Sequence, residues 1–205
     1  MKLYYSPGAC SIGIHVLLEE LGAPYESQVI SLAKGQQREE PFATVNPKGK
    51  VPVLERSDGS VLTEFPAISY WLARSNPAAK LFPDDLGEQA RVLETIDYVV
   101  ATIHMQGFAR MFRPENFGPN EADREAVQSR GREIARNGLA LLDKTLGQRE
   151  YVAGSQFSIA DAALFYVEFW AGRLNIELPP NLARHYARLR ERPAVQRVIA
   201  KENVG

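Results

Sequence analysis

Three short stretches hold residue types that could do chemistry. Cys10 is the only cysteine in 205 residues, and it stands in YYSPGACS, between a short apolar run and a helical pattern. A thiol at a helix N-terminus meets backbone N–H groups and the positive end of the dipole. Both favour thiolate, so such a cysteine titrates low and reacts as a nucleophile. Without a second cysteine, its partner is an external thiol or an electrophile. Val51-Pro52 opens a strand pattern, and a cis peptide there would leave the Val51 N–H and C=O to an extended peptide ligand. Thr63-Glu64-Phe65 opens a helix pattern whose first N–H groups suit a carboxylate, while Glu64 suits an ammonium. Together these describe a cradle for a small peptide with an α-amino-acid end and a sulfur near Cys10. Each also has a plain structural use: a small buried thiol, an edge proline and an acid favouring the start of a helix.

Several elements must position those residues. LYY at 3–5 reads as a strand, and Ile14, Leu17, Leu18 and Leu21 predict a helix from Ser11 that stops at Gly22 and Pro24. YESQVI at 25–30 alternates as a second strand. KVPVLE at 50–55 and SVLT at 60–63 flank Asp58-Gly59, a hairpin signal, and a helix over about 64–74 follows. Residues 75–87 carry two prolines and no periodicity, as a linker would. Beyond them the pattern is helical: one helix over 88–112, and another over about 121–146 with Val127, Gly131, Ile134, Gly138 and Leu141 on its apolar stripe. Its two glycines predict a close helix approach. FSIAD at 157–161 is a capping box from Ser158 to Asp161. The helix that it opens is apolar nearly all round and is predicted to be buried. A shorter helix spans about 181–191, and Pro193 begins a last one.

Hydrophobic residues make up 45% of the chain and charged residues 24%, enough apolar mass for a core. A net charge of −1 argues against nucleic acid or an anionic membrane as partner. There is no apolar run of about 20 residues and no signal-peptide pattern, so the expectation is a cytoplasmic protein without a membrane segment. One cysteine rules out internal disulfides and an all-cysteine metal site.

YYSPGACS, NPKGKVPVL at 46–54, LTEFPAI at 62–68 and FSIADAALF at 157–165 resemble cytosolic glutathione transferases, and Cys10 resembles the bacterial beta class. The resemblance spans nearly the whole chain. It implies an α/β thioredoxin-like, glutathione-binding domain over 1–76, a linker over 77–86, and an all-helical domain over 87–205. It further implies a homodimer, glutathione as co-substrate, a small electrophile as second substrate, and no cofactor or metal. Cys10 would lie by the glutathione sulfur, with Ser11 as a second donor and His104 as a third catalytic candidate. Val51, before a cis Pro52, would pair with the cysteinyl backbone of glutathione. Glu64 and Phe65 would hold the γ-glutamyl end, and Lys34 the glycine carboxylate. Asp97 lies seven residues before His104, two α-helical turns back on the same face, and would reach glutathione across the dimer interface. Tyr5, Phe108, Phe112, Tyr166 and Trp170 would line the electrophile pocket, where Arg110 and Arg113 would favour acidic or hydroxylated co-substrates. The capping box is structural, and His15 and His185 are expected outside the chemistry. Two departures stand out: Phe65 replaces a serine common among relatives, and IHMQGFARMF lacks a lysine after His104 and carries one extra residue before Gly107.

The activity implied is conjugation of the glutathione thiolate to small hydrophobic electrophiles, as in detoxification. Glutathione's thiol, like cysteine, titrates at about 8.5, and lowering that by about two units needs about 2.7 kcal/mol of thiolate stabilisation. The alternatives are monothiol disulfide exchange through Cys10, peroxide reduction, and a non-catalytic binding module on the same fold. A pure scaffold would need neither Cys10 nor Glu64.

Overall fold

In the computed structural model, which describes residues 1–205, β1 (Lys2–Tyr5) is an inner strand of a four-stranded sheet. It pairs parallel to β2 (Glu26–Val29) and antiparallel to β3 (Val53–Glu55). β4 (Val61–Thr63) completes the order β2-β1-β3-β4. Parallel neighbours need a crossover, and α1 (Ser11–Leu21) supplies it, ending at Gly22 in the left-handed region, φ 64°. The Asp58-Gly59 turn sets the register Val53↔Thr63 and Leu54↔Leu62, which delivers Thr63 to the start of the next helix. In the irregular stretch between β2 and β3, the short α2 (Phe42–Val45) places Phe42 against Tyr4, Ile30, Val51 and Val53. α3 (Phe65–Ser75) buries Ile68 and Leu72.

The chain forms two compact units, Met1–Phe82 with Arg190–Gly205, and Pro83–Leu189. In the second unit, the helix expected over 88–112 is three windings in series: α4 (Leu86–Asp97), a π-helical stretch Tyr98–Phe108, and α5 (Ala109–Phe112). Ala109 N–H donates to His104 O, five residues back. Such a bond encloses one residue more than the α-helical one, and the extra residue counted before Gly107 falls inside this stretch. α6 (Arg124–Leu146) follows a capping box between Asn120 and Asp123. It buries Gly131, Ala135, Gly138, Leu139, Leu142 and Leu146. The stripe read from the sequence is therefore rotated, and Leu141 is 51% exposed. The glycine expectation holds: a Cβ on Gly131 would lie 2.7 Å from Gly107 O, and one on Gly138 2.6 Å from Ile103 Cγ1. A backbone carbonyl cannot rotate aside. Gly131→Ala is expected to cost about 1–3 kcal/mol of stability, read as a fall of several degrees in Tm.

α7 (Ile159–Arg173) is buried from Ile159 through Ala171, with the Ser158–Asp161 capping box at its head. α8 (Pro180–Glu191) sets His185 between two buried carboxylates, Nδ1 at 2.8 Å from Glu168 Oε1 and Nε2 at 3.1 Å from Asp161 Oδ1. Burial alone would lower this imidazole, but the Glu168 charge and then the bonds to both carboxylates raise it to about 10. No helix is long and apolar enough to cross a membrane.

α9 (Pro193–Glu202) packs on α1, so the first unit takes back the end of the chain rather than leaving it with the helical domain expected over 87–205. The reason lies in α1: every side chain from Ser11 to Leu18 is buried, which requires cover away from the sheet as well as against it. Val195 and Val198 of α9 are buried, and Arg192–Glu20 and Arg197–Glu19 ion pairs flank them.

Candidate active site

β1 ends at Tyr5, and the chain turns through residues 6–9 to bring Cys10 to the N-cap of α1. The turn is closed locally. Ala9 N–H donates to Ser6 O at 3.0 Å, and Ser11 Oγ both accepts Ser6 N–H and donates to Ser6 O, each at 3.2 Å. Ser11 is fully buried with its hydroxyl proton already given to the backbone. This corrects the reading of Ser11 as a donor to substrate sulfur; it shapes the turn.

Cys10 is partly accessible as a residue, and its Sγ–H donates to Val51 O at 3.5 Å. Burial pushes the thiol up to about 12. The Cys10 and Ser11 N–H groups do pull it down, as the helix-terminus argument requires, but desolvation outweighs them; Glu64 raises it further and Lys50 lowers it. The thiolate expected from sequence is thus a neutral thiol, a hydrogen-bond donor. The Val51–Pro52 peptide is cis, and the Val51 N–H takes no backbone partner in the chain.

Glu64, exposed at the N-cap of α3, holds φ 71° and ψ 128°. Such a conformation costs a non-glycine residue about 1–3 kcal/mol and clusters at functional sites. Its carboxylate accepts from Lys48 Nζ at 2.7 Å, and the same ammonium donates to Thr63 Oγ1 at 2.9 Å. Lys48 and Lys50 were missed from sequence. The signal was present as KGK beside Val51-Pro52, but a lone exposed lysine has no periodicity to mark it. Phe65 is 5% exposed, its ring committed to the core, and Pro66 has no N–H to offer an anion. Lys34 is exposed on a turn where its N–H donates to Ser31 O.

In the helical unit His104 is half-buried, edge-on to Trp170 at 4.7 Å and to Tyr166 at 5.7 Å between ring centroids. Phe108 and Tyr166 are fully buried and Trp170 nearly so. In the sheet unit Tyr5 is buried, its ring 4.8 Å from that of His15. These four are buried side chains, packed on neighbouring rings. Of the five aromatics expected to line a pocket, only Phe112 keeps an open face, at 40% exposure. Exposure recurs at Glu94, Asp97, Ala101 and Met105, so Asp97 shares its row with Met105, and His104 stands beside it. Arg110 is engaged by Gln106 and lies over the Phe117 ring, and Arg113 faces Glu115.

Residues 8–75 match the family described as glutathione S-transferase, N-terminal domain, and residues 125–188 that of the C-terminal domain. The chain is 34% identical to glutathione S-transferase GstA of Escherichia coli O157:H7, an alignment spanning 100% of both. Among solved structures, a beta-class glutathione S-transferase of Sphingomonas chungbukensis superposes with a TM-score of 0.86 at 35% identity, covering 100% of each chain. A glutathione transferase homologue from Sulfitobacter with bound glutathione superposes at 0.91 and 26% identity, over 98% of this chain and 97% of that one. Two domain families in order and a full-length relative at this identity lead to one assignment: the chain belongs to the glutathione S-transferase family.

Proposed function

We propose that this glutathione S-transferase holds glutathione on the sheet unit and joins its sulfur to a small electrophile. One observation carries the site assignment: the lone thiol of Cys10 sits on Val51 O, beside a Val51 N–H with no backbone partner and within the field of Glu64. Sulfur chemistry, a peptide-pairing edge and an ammonium partner thus occupy one face. Glutathione's cysteinyl backbone pairs with Val51, its γ-glutamyl ammonium meets Glu64, and Lys34 takes its glycine carboxylate. Cys10 acts as a neutral donor. Glutathione's thiol gives its proton to solvent; the Cys10 S–H then turns from Val51 O to the resulting thiolate, and the Cys10 and Ser11 N–H groups add to its stabilisation. The thiolate then forms the sulfur–carbon bond, and the electron pair leaves with the departing group or moves into an activated double bond. Holding both reactants in place adds to the rate. Within the helical unit, His104 and Phe112 present aromatic surface of the kind an apolar electrophile would use. The single reduced thiol suits a reducing compartment, the cytoplasm.

Conjugation ranks above disulfide exchange, which needs Cys10 to leave its bond to Val51 O and attack as a thiolate. Cys10→Ala is expected to abolish exchange with a glutathione mixed disulfide while conjugation falls by no more than about tenfold, the worth of one neutral donor. Assays of both activities on one preparation check this; exchange surviving in the variant refutes the thiol assignment. Retention on immobilised glutathione and elution by free glutathione test binding itself, and no retention would favour the scaffold reading. A homodimer completes the proposal: Met105 and Leu141 expose apolar surface that a second copy would cover. Size exclusion with light scattering should give twice 22.8 kDa, and the monomer mass would refute it.

A further inference from the structure

We propose that Glu202, on the last helix, is a positioning residue for the sulfur chemistry at Cys10, an inference that rests on the transferase reading. Its Oε2 accepts Gly8 N–H at 2.8 Å, and its Oε1 accepts from His15 Nδ1 at 2.7 Å. Both side chains are wholly buried. Gly8 lies two residues before Cys10 with φ 67°, a left-handed conformation natural to glycine. Ser6 N–H, Ala9 N–H and the Ser11 hydroxyl make their bonds within the turn. Gly8 N–H is instead tied from 194 residues away, so α9 sets where the turn sits. A shift there displaces the Cys10 and Ser11 N–H groups with it.

Attachment of α9 does not require this carboxylate. Val195 and Val198 are buried, and the Arg192–Glu20 and Arg197–Glu19 pairs close its rim. Burying hydrogen-bonding groups costs desolvation that apolar residues of like volume avoid. Here the pair also leaves His15 Nε2 buried without a partner, between the rings of Tyr5 and Tyr25. What the carboxylate supplies and an apolar side chain could not is two acceptors at fixed positions, one for the turn and one for α1.

The test uses Glu202→Gln, which keeps the shape but offers one acceptor, so either Gly8 or His15 faces an amide N–H. Arg192→Met is the control, loosening α9 without touching the turn. Alkylation of Cys10 by iodoacetamide, followed by mass spectrometry without glutathione, reads the position of the sulfur directly. Glu202→Gln is expected to alkylate at least about fivefold faster, as the Cys10–Val51 bond loosens, and to lose about tenfold in conjugation kcat with little change in KM for glutathione. Arg192→Met is expected to lower Tm with alkylation unchanged. A wild-type alkylation rate in Glu202→Gln, an equal change in Arg192→Met, or an unaltered kcat overturns the proposal. Should the wild-type protein fail to conjugate any electrophile, the transferase reading falls, and the alkylation result still decides whether Glu202 places the sulfur.

Discussion

Asp161→Ala is expected to destabilise the protein by about 3–5 kcal/mol, the cost of opening a buried charge network. Asp161 has no solvent exposure, and its two oxygens answer four donors. Oδ2 accepts the N–H and the hydroxyl of Ser158, each at 2.7 Å, and Oδ1 accepts Val152 N–H at 2.7 Å and His185 Nε2 at 3.1 Å. Alanine strips the cap from α7, orphans two buried N–H groups, and leaves His185 with Glu168 alone. Thermal unfolding and soluble yield check this, with Asp161→Asn intermediate because an amide keeps one acceptor. The pH dependence has a definite sign. His185 is raised above its ordinary 6.5 to about 10, so its charge stabilises the fold fully below pH 6.5, and that contribution fades as pH rises toward 10. The gap between wild type and Asp161→Ala should therefore narrow over that window. A gap that widens would refute the imidazolium at His185.

Glu64→Ala should act oppositely, barely touching stability while raising KM for glutathione about 10- to 100-fold. The Lys48–Glu64 pair is more than half exposed on both sides, and such pairs contribute about 0–1 kcal/mol. A hydrogen bond between a ligand ammonium and a carboxylate is worth about 1.5–3 kcal/mol, which sets the expected change in KM at about tenfold per 1.4 kcal/mol. Alanine holds the same φ no more easily than glutamate, so backbone strain cancels and the difference reads the carboxylate. Initial rates over a glutathione series and a melting curve check it. An unchanged KM, or a loss that tracks Tm, would remove Glu64 from the γ-glutamyl site.

The legible parts of this chain were those whose cause is local. The strand before Cys10, the Asp58-Gly59 hairpin, the helix from Ser11 to Gly22 and the Ser158–Asp161 capping box each follow from turn chemistry or periodicity within a dozen residues. Cys10, Val51 and Glu64 were identified as chemistry-bearing residues on the same grounds, and the structure sets Cys10 on Val51 and within reach of the Glu64 charge. What failed was decided at a distance. The titration of Cys10 depends on how much water the fold removes from around it, which outweighed two well-aimed N–H groups. Ser11 was read as a donor because nothing beside it in sequence shows that Ser6 already holds its proton. On α6 the apolar stripe was misjudged because Ala135 and the glycines face the core while Leu141 faces out, a choice made by the helix opposite. Lys48 and Glu202 were invisible for the same reason, since each matters through a partner 16 or 187 residues away.

The first unit is discontinuous, needing residues 190–205 to cover α1 and to tie the turn at Gly8. A ribosome adds roughly 5–20 residues per second, so several seconds separate the emergence of Phe82 from that of Arg190. Throughout that interval α1, buried from Ser11 to Leu18 in the finished fold, lacks the helix that packs on it. The thiol-bearing turn therefore cannot be completed in chain order, since the carboxylate that anchors Gly8 is among the last residues to be made.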